Sequence, residues 1–384
     1  MAPRGLDRVR RHAHLGGMTA FRPAMVPPLF AALLAGAPVQ AAQVQTSAGA
    51  LTIAPVVQGL EEPWGFGFLP DGTVLVTERA GRLLRVADGT ATPIQGLPKV
   101  QAGGQGGLLD VMIPRDFTTS REVWLSYSVA VRGGAATAMG RGRLSADGQQ
   151  LEGFETLWTG DPAQGGRHFG ARLAEAPDGT IRLATGDRGT GPDGMQAQDP
   201  ASSIGKVMGF TRAGKPLPSP DGWAPGVVSI GHRNVQGAAF GPDGSFWVAE
   251  HGARGGDEVN RVEPGRNYGW PAISYGVNYN GATIGTGTTA PGMEQPSHYW
   301  DPSMAPSGLA IWTGGQMPGW TGSLLVGSLK FDHIARLDPA QGFAEELIAA
   351  PETGRVRDVR QGPDGALWFL SVTNGALYRM APGG

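Results

Sequence analysis

PDGTVLVTE (70–78), PDGTIRLATGD (177–187), PDGSFWVAE (242–250) and PDGALWFLS (363–371) are four versions of one phrase. In each, Pro fixes φ, Asp bonds locally and Gly accepts a positive φ, which makes a tight reversal. The apolar residues that alternate behind the turn suit a half-buried strand. The phrases start 107, 65 and 121 residues apart, so the period is not strict. They fall at loose multiples of about 50–60 residues, near the repeat of a four-stranded propeller blade. Residues 42–384 hold about six such units. The expected fold is all-β: one six-bladed β-propeller of four-stranded antiparallel blades spanning 42–384. Two packed sandwiches are the alternative, but no Pro/Gly/Ser-rich linker divides the chain.

Further strands are expected at REVWLSYSV (121–129), VVSIGH (227–232), SLLVGSL (323–329) and GALYRM (375–380). No long amphipathic helix stands out. AEELIAA (344–350) is the best helical candidate. In a closed propeller the loops of all blades converge on one axial face, so motifs far apart in sequence can build one site.

The chain has 384 residues, 63 Gly, 31 Pro and no Cys. That excludes disulfides, thiolate metal sites and cysteine nucleophiles. The apolar share of 40% is enough for a core. The N-terminus has the pattern of an export signal. Arg4, Arg8, Arg10, Arg11 and Arg22 precede MVPPLFAALLAGAPVQAAQ, and Val39-Gln40-Ala41 fits a cleavage site. Met18 is an alternative start. The apolar run is shorter than the roughly 20 residues a membrane span needs. Residues 1–41 read as a signal peptide, and the mature protein as periplasmic or secreted with no membrane span. Removing them takes away five Arg and one Asp and moves the formal charge from −2 to −6. A mildly acidic exported chain has no electrostatic case for nucleic acid.

Several stretches are too rich in Gly and polar residues for ordinary strand: GGQGGLLD (103–110), GGRHFGARL (165–173), GHRNVQG (231–237), EHGARGGDEVN (250–260) and RVRDVR (355–360). Arg355 and Arg357 would share one strand face. With Lys330 they are either surface cations or a cradle for a ligand with several carboxylates. Asp257 and Glu258 are either a solvated turn or oxygen donors for Ca²⁺. His232 and His251 lie beside turn glycines, yet no third zinc ligand is evident. His168 is either a structural histidine or a general base near neutrality, on a loop where function concentrates.

Taken together, the motifs resemble the soluble quinoprotein glucose dehydrogenase family, closest to its aldose sugar dehydrogenase branch. The resemblance runs from about Leu60 to the C-terminus. It rests on EPWGFGFLPDG (62–72), VTERAGRL (76–83), GQGGLLDV (104–111), HFGARL (168–173), TGDRG (185–189), GHRNVQG, EHGARGGDEVN, NYGWP (267–271), APSG (305–308), SLK (328–330) and RVRDV. It implies an exported six-bladed propeller that uses pyrroloquinoline quinone (PQQ) and Ca²⁺. Such an enzyme oxidises the C1 hydroxyl of aldoses to lactones and passes electrons to an external acceptor. His168 matches the catalytic base and Asp187 an acidic residue close to it. Arg233 matches the arginine near the reactive carbonyl. Gln105, Asn234, Gln236 and Ser303 match residues around the quinone. Lys330, Arg355 and Arg357 match the cations on its carboxylates. Gly252 and Ala253 match the carbonyl loop of the catalytic Ca²⁺. Glu258 and Tyr268 match a second, structural Ca²⁺.

The chain departs from the pattern at Val235, at GKVMGF (205–210) and at Arg167, where glucose-specific members carry an acid. A cation there would lower the pKa of His168. The rival readings are a Ca²⁺-dependent lactonase and a non-catalytic binding propeller. The chain is expected to be a monomer or weak dimer. Residues 278–300 are the candidate substrate-facing insertion.

Overall fold

The computed structural model describes residues 42–190 and 194–383. The leader expected at 1–41 lies outside the described residues. Six antiparallel sheets follow one another along the chain. Blade one is Pro63–Phe68, Val74–Glu78, Arg82–Ala87 and Thr90–Ile94. Blade two runs from Leu108–Met112 to Leu151–Thr159, blade three from Gly170–Glu175 to Val227–Ile230. Blade four runs from Val235–Phe240 to His298–Trp300, blade five from Pro306–Ile311 to Ala344–Ala349. The sixth begins with Val356–Gln361, Leu367–Ser371 and Ala376–Pro382, and is completed by Gly49–Gln58 and Ala42–Thr46 from the other end of the chain. This blade therefore has five strands where four are expected, because the N-terminal hairpin adds its outer strand to the closure. The first strand of each blade packs against the first strand of the next, and Val356–Gln361 packs on Pro63–Phe68, so the ring is closed.

The Pro-Asp-Gly phrases join the innermost strand to the second strand in blades one, three, four and six. Asp71 Oδ1 accepts from the amide (3.0 Å) and hydroxyl (2.6 Å) of Thr73. Asp178 does the same for Thr180, and Asp243 for Ser245. The glycine at the end of each turn has φ between +74° and +84°, which a side chain would disfavour. The uneven spacing is explained, since 107 and 121 residues are two blades and 65 is one.

Ala344–Ala349, within the best helical candidate, is a strand. Only Ile348 is buried, and the segment pairs antiparallel with His333–Asp338 as the outer edge of blade five. Pairing at an edge needs no apolar stripe, so the pattern gave no warning. The core lies between neighbouring blades, as where Leu75 and Leu83 meet Val111 and Leu125. A second bond set ties the ring. Arg172 Nη1 lies 3.1 Å from both Asp110 and Asp358, and Arg360 reaches the same two carboxylates at 2.8 and 3.0 Å. Asp110, Arg172 and Asp358 are buried on the inner strands of blades two, three and six. Removing one member would strand a buried charge, at about 3–5 kcal/mol.

Candidate active site

The innermost strands start at the same end of the ring, and the motifs sit at those starts. Trp64 is the second residue of the strand of blade one, Gln105 precedes that of blade two, and His168 that of blade three. Arg233 to Gln236 enter blade four, Ser303 precedes blade five, and Arg355 to Arg357 enter blade six. A cavity of about 250 Å³ opens there. Every blade contributes to it, through Trp64, Gln105, Gly170, Asn234, Ala305 and Arg357 among others.

His168 stands beside this cavity, next to Phe169 and Gly170 in its wall, with 12% of its side chain exposed. Its Nδ1 lies 2.6 Å from Asp187 Oδ1. A carboxylate accepts, so Nδ1 carries the proton and Nε2 keeps a lone pair. Nε2 has no protein partner among the described residues. The His168 amide donates to Gln105 Oε1 at 2.7 Å, and φ is +52°, a left-handed value costly outside glycine. Burial pushes the His168 pKa down from its usual range. Asp187 opposes that, while Arg233 and Arg167 add to it. Arg167 thus acts in the direction expected of it. It is exposed, and its side chain crosses Gly189.

Asp187 is 1% exposed. Oδ1 accepts from His168 and the Gly189 amide (2.7 Å), and Oδ2 from Trp270 Nε1 (2.8 Å). Burial opposes its charge, but the His168 bond, Arg233 and Gly189 outweigh it and hold the pKa below the usual carboxylate range.

Arg233 is 6% exposed; it donates to the His251 carbonyl at 3.3 Å and lies over the Trp270 ring at 5.1 Å. Arg357 donates to Gln236 Oε1 at 2.7 Å. Its guanidinium lies 4.3 Å from the Trp64 ring, with Arg172 at 4.4 Å. In both Arg233 and Arg357 the Nε is buried without a hydrogen-bond partner among the described residues. Burial, with Arg172 and Arg355 close by, pushes the Arg357 pKa well below its usual range. Two guanidiniums, one buried and one half-buried, each with an Nε short of an acceptor, suit an anionic ligand.

Arg355 lines the same cavity as Arg357. Lys330 does not line it: its ammonium lies over the Phe331 ring at 4.7 Å, and Leu329 holds the wall instead. Ser303 is also turned away, donating to Asp257 Oδ2 at 2.6 Å. Asp257 is a buried hub that also accepts from the amides of Gly252 and Ala305, each at 2.7 Å. Gly252 cannot carry a side chain, since a Cβ would come within 2.3 Å of the Gly255 and Gly256 carbonyl oxygens. Gly252 and Ala253 are buried outside the cavity wall.

Glu258 stands across the strand pair from Glu250, and both accept from Asn260. Burial and the Glu250 charge push Glu258 up to about 8. The Tyr268 hydroxyl donates to the Arg261 carbonyl (2.7 Å) and accepts from the Glu263 amide (2.9 Å). No cluster of three His, Asp or Glu metal ligands occurs among the described residues. No third ligand stands with His232 and His251 among the described residues. His232 is bonded at both nitrogens, to Glu250 and Ser229, and His251 Nε2 donates to the Pro306 carbonyl. Burial beside Arg233 and Arg357 holds His251 neutral, with its pKa pushed down to about 3.

A closed propeller with one cavity at its strand starts, a carboxylate-held histidine beside it and acceptor-starved guanidiniums around it has the build of a propeller enzyme. The profile of the Glucose / Sorbosone dehydrogenase family matches residues 60–379, and the chain belongs to that family. It is an oxidoreductase of the sugar dehydrogenase type. It is 39% identical to the aldose sugar dehydrogenase YliI of Escherichia coli, over 84% of this chain and 91% of that one. Among solved structures it resembles a glucose dehydrogenase at 40% identity and TM-score 0.82, covering 87% of this chain and 100% of that one. It also resembles the PQQ-bound aldose sugar dehydrogenase of Streptomyces coelicolor at 27% identity and TM-score 0.72, covering 88% and 99%.

Proposed function

We propose that this protein is a PQQ- and Ca²⁺-dependent aldose dehydrogenase of the periplasm or exterior, acting as a single propeller domain over 42–384. It oxidises the C1 hydroxyl of an aldose to the lactone and hands electrons to an external acceptor. The carrying observation is the His168–Asp187 pair beside Arg233, next to a cavity that Arg357 lines, with the Nε of both arginines lacking an acceptor. A planar quinone with three carboxylates fits that donor set. Arg355, Arg357, Asn234 and Gln236 would hold it, with Gln105 at its edge. PQQ supplies the two-electron acceptance that no side chain offers.

The chain supplies the rest. His168 Nε2 takes the C1 hydroxyl proton. Asp187 keeps Nδ1–H in place and stabilises the resulting imidazolium. Arg233, beside His168, offers positive charge to an oxygen that gains negative charge. Calcium enters through donor chemistry. The 252–256 loop crowds carbonyl oxygens, and Glu258 faces a second carboxylate that a cation would relieve. Lys330 and Ser303 remain part of this reading only as supports, through the wall residue Leu329 and through Asp257.

The test is to add PQQ and Ca²⁺ to apo-protein and follow dye reduction with a panel of aldoses. Reduction with a quinone absorbance shift is expected. Absence of both overturns the reading, and lactone hydrolysis in their place identifies a lactonase.

A further inference from the structure

Trp270 takes no part in the proposed reaction itself, yet it touches three parts of the site. Its indole N–H donates to Asp187 Oδ2, 83 residues away, at 2.8 Å. Its ring lies under the Arg233 guanidinium. It also packs with Ala253 of the glycine loop, and with Ala197 and Ile284. The residue is held on both sides. Its amide donates to the Gly231 carbonyl at 2.9 Å, and its carbonyl accepts from Gln198 Nε2 at 2.8 Å. An indole fixed this way presents its N–H in one direction.

We infer that Trp270 is a positioning residue of the active site, whose indole N–H holds Asp187 in place for His168. Asp187 has two oxygens and three donors. His168 and Gly189 share Oδ1, so Trp270 is what occupies Oδ2. Without it the carboxylate is free to rotate, and its charge falls more heavily on the imidazole. The charged and titratable groups facing His168 are Asp187, Arg233 and Arg167, with His251 close by. Trp270 bears on the first two. The inference rests on His168 being the base of the proposed reaction.

The test is Trp270→Phe, which keeps a ring and removes the donor. His168 is titrated by NMR in the cofactor-free protein. Its midpoint is expected to move up, because a carboxylate with one donor fewer binds imidazolium harder. In the loaded enzyme the acid limb of kcat should move the same way, and kcat should fall about tenfold with KM for the sugar little changed. An unmoved His168 midpoint in the folded variant overturns the inference. If the variant does not fold, the wild-type Trp270 indole resonance serves: it should shift through the His168 midpoint, and a flat response overturns the inference. Failure of the dehydrogenase reading shows separately, as wild-type protein that reduces no dye.

Discussion

Two histidines in this chain each give one ring nitrogen to a carboxylate, His168 to Asp187 at 2.6 Å and His232 to Glu250 at 2.8 Å. The second nitrogen separates them. In His232 it is bonded to Ser229 Oγ at 2.8 Å, the ring stacks on Tyr268, and the side chain is fully buried. In His168 it is unspent and within reach of solvent. A carboxylate partner therefore does not make a base. An unspent nitrogen with access does, and His232 is a bolt between strands and loop.

The comparison breaks most sharply by deleting each ring. His168→Ala should lower kcat by about 10²–10⁴ and leave PQQ binding and thermal stability nearly intact. His232→Ala should cost about 3 kcal/mol or more in denaturant unfolding, because it leaves a cavity and unpaired buried groups. A His232 variant that loses turnover at full stability would end the distinction.

Next in size is Arg357→Ala, which extends the contrast to cations. Arg172 is paired with two carboxylates, Asp110 and Asp358, although its Nη2 lacks a partner, whereas Arg357 has no carboxylate partner among the described residues. PQQ affinity should fall about 10–100-fold by fluorescence titration. The melting temperature of the cofactor-free protein should hold or rise, since a poorly compensated, half-buried charge is removed. A marked fall would make Arg357 structural.

The smallest effect concerns pH. Burial lowers the His168 pKa, so the acid limb of kcat/KM should lie below the ordinary histidine value of 6.5. Arg167→Ala removes one charge that opposes the imidazolium. The limb should move slightly upward, while the rate at pH 8 stays within about twofold. A limb that moves downward would show that Arg167 acts on something other than His168.

Much of the fold was legible because its turns are local chemistry. An Asp that caps its own turn and a Gly at positive φ are written in three residues. Blades two and five use IPRDFTTSR (113–121) and WTGGQMPGWTGS (312–323) at the same place, so two repeats were hidden. The N-terminal strands and Ala344–Ala349 were not legible as sheet edges, because pairing rather than burial defines them. In the site, the motifs pointed to the strand starts, and Arg355 and Arg357 do line one cavity. Lys330 lies over Phe331, off the cavity wall, because adjacency in sequence does not fix where a long side chain lies. Trp64 and Trp270 were missed because they act across blades, and nothing local marks an indole that will meet a carboxylate 83 residues away.

The closing blade has one more consequence. Leu51 pairs with Pro382, so the two ends of the described chain meet in the sheet that begins at Val356. That sheet also carries Arg357 into the cavity, opposite groups from the other five blades. A ligand held there from both sides would span the seam of the ring like a staple. Its binding free energy adds to closure by mass action. Saturation with the cofactor should therefore guard the seam first, and the strands at the two ends of the chain should be the ones that gain most protection from exchange.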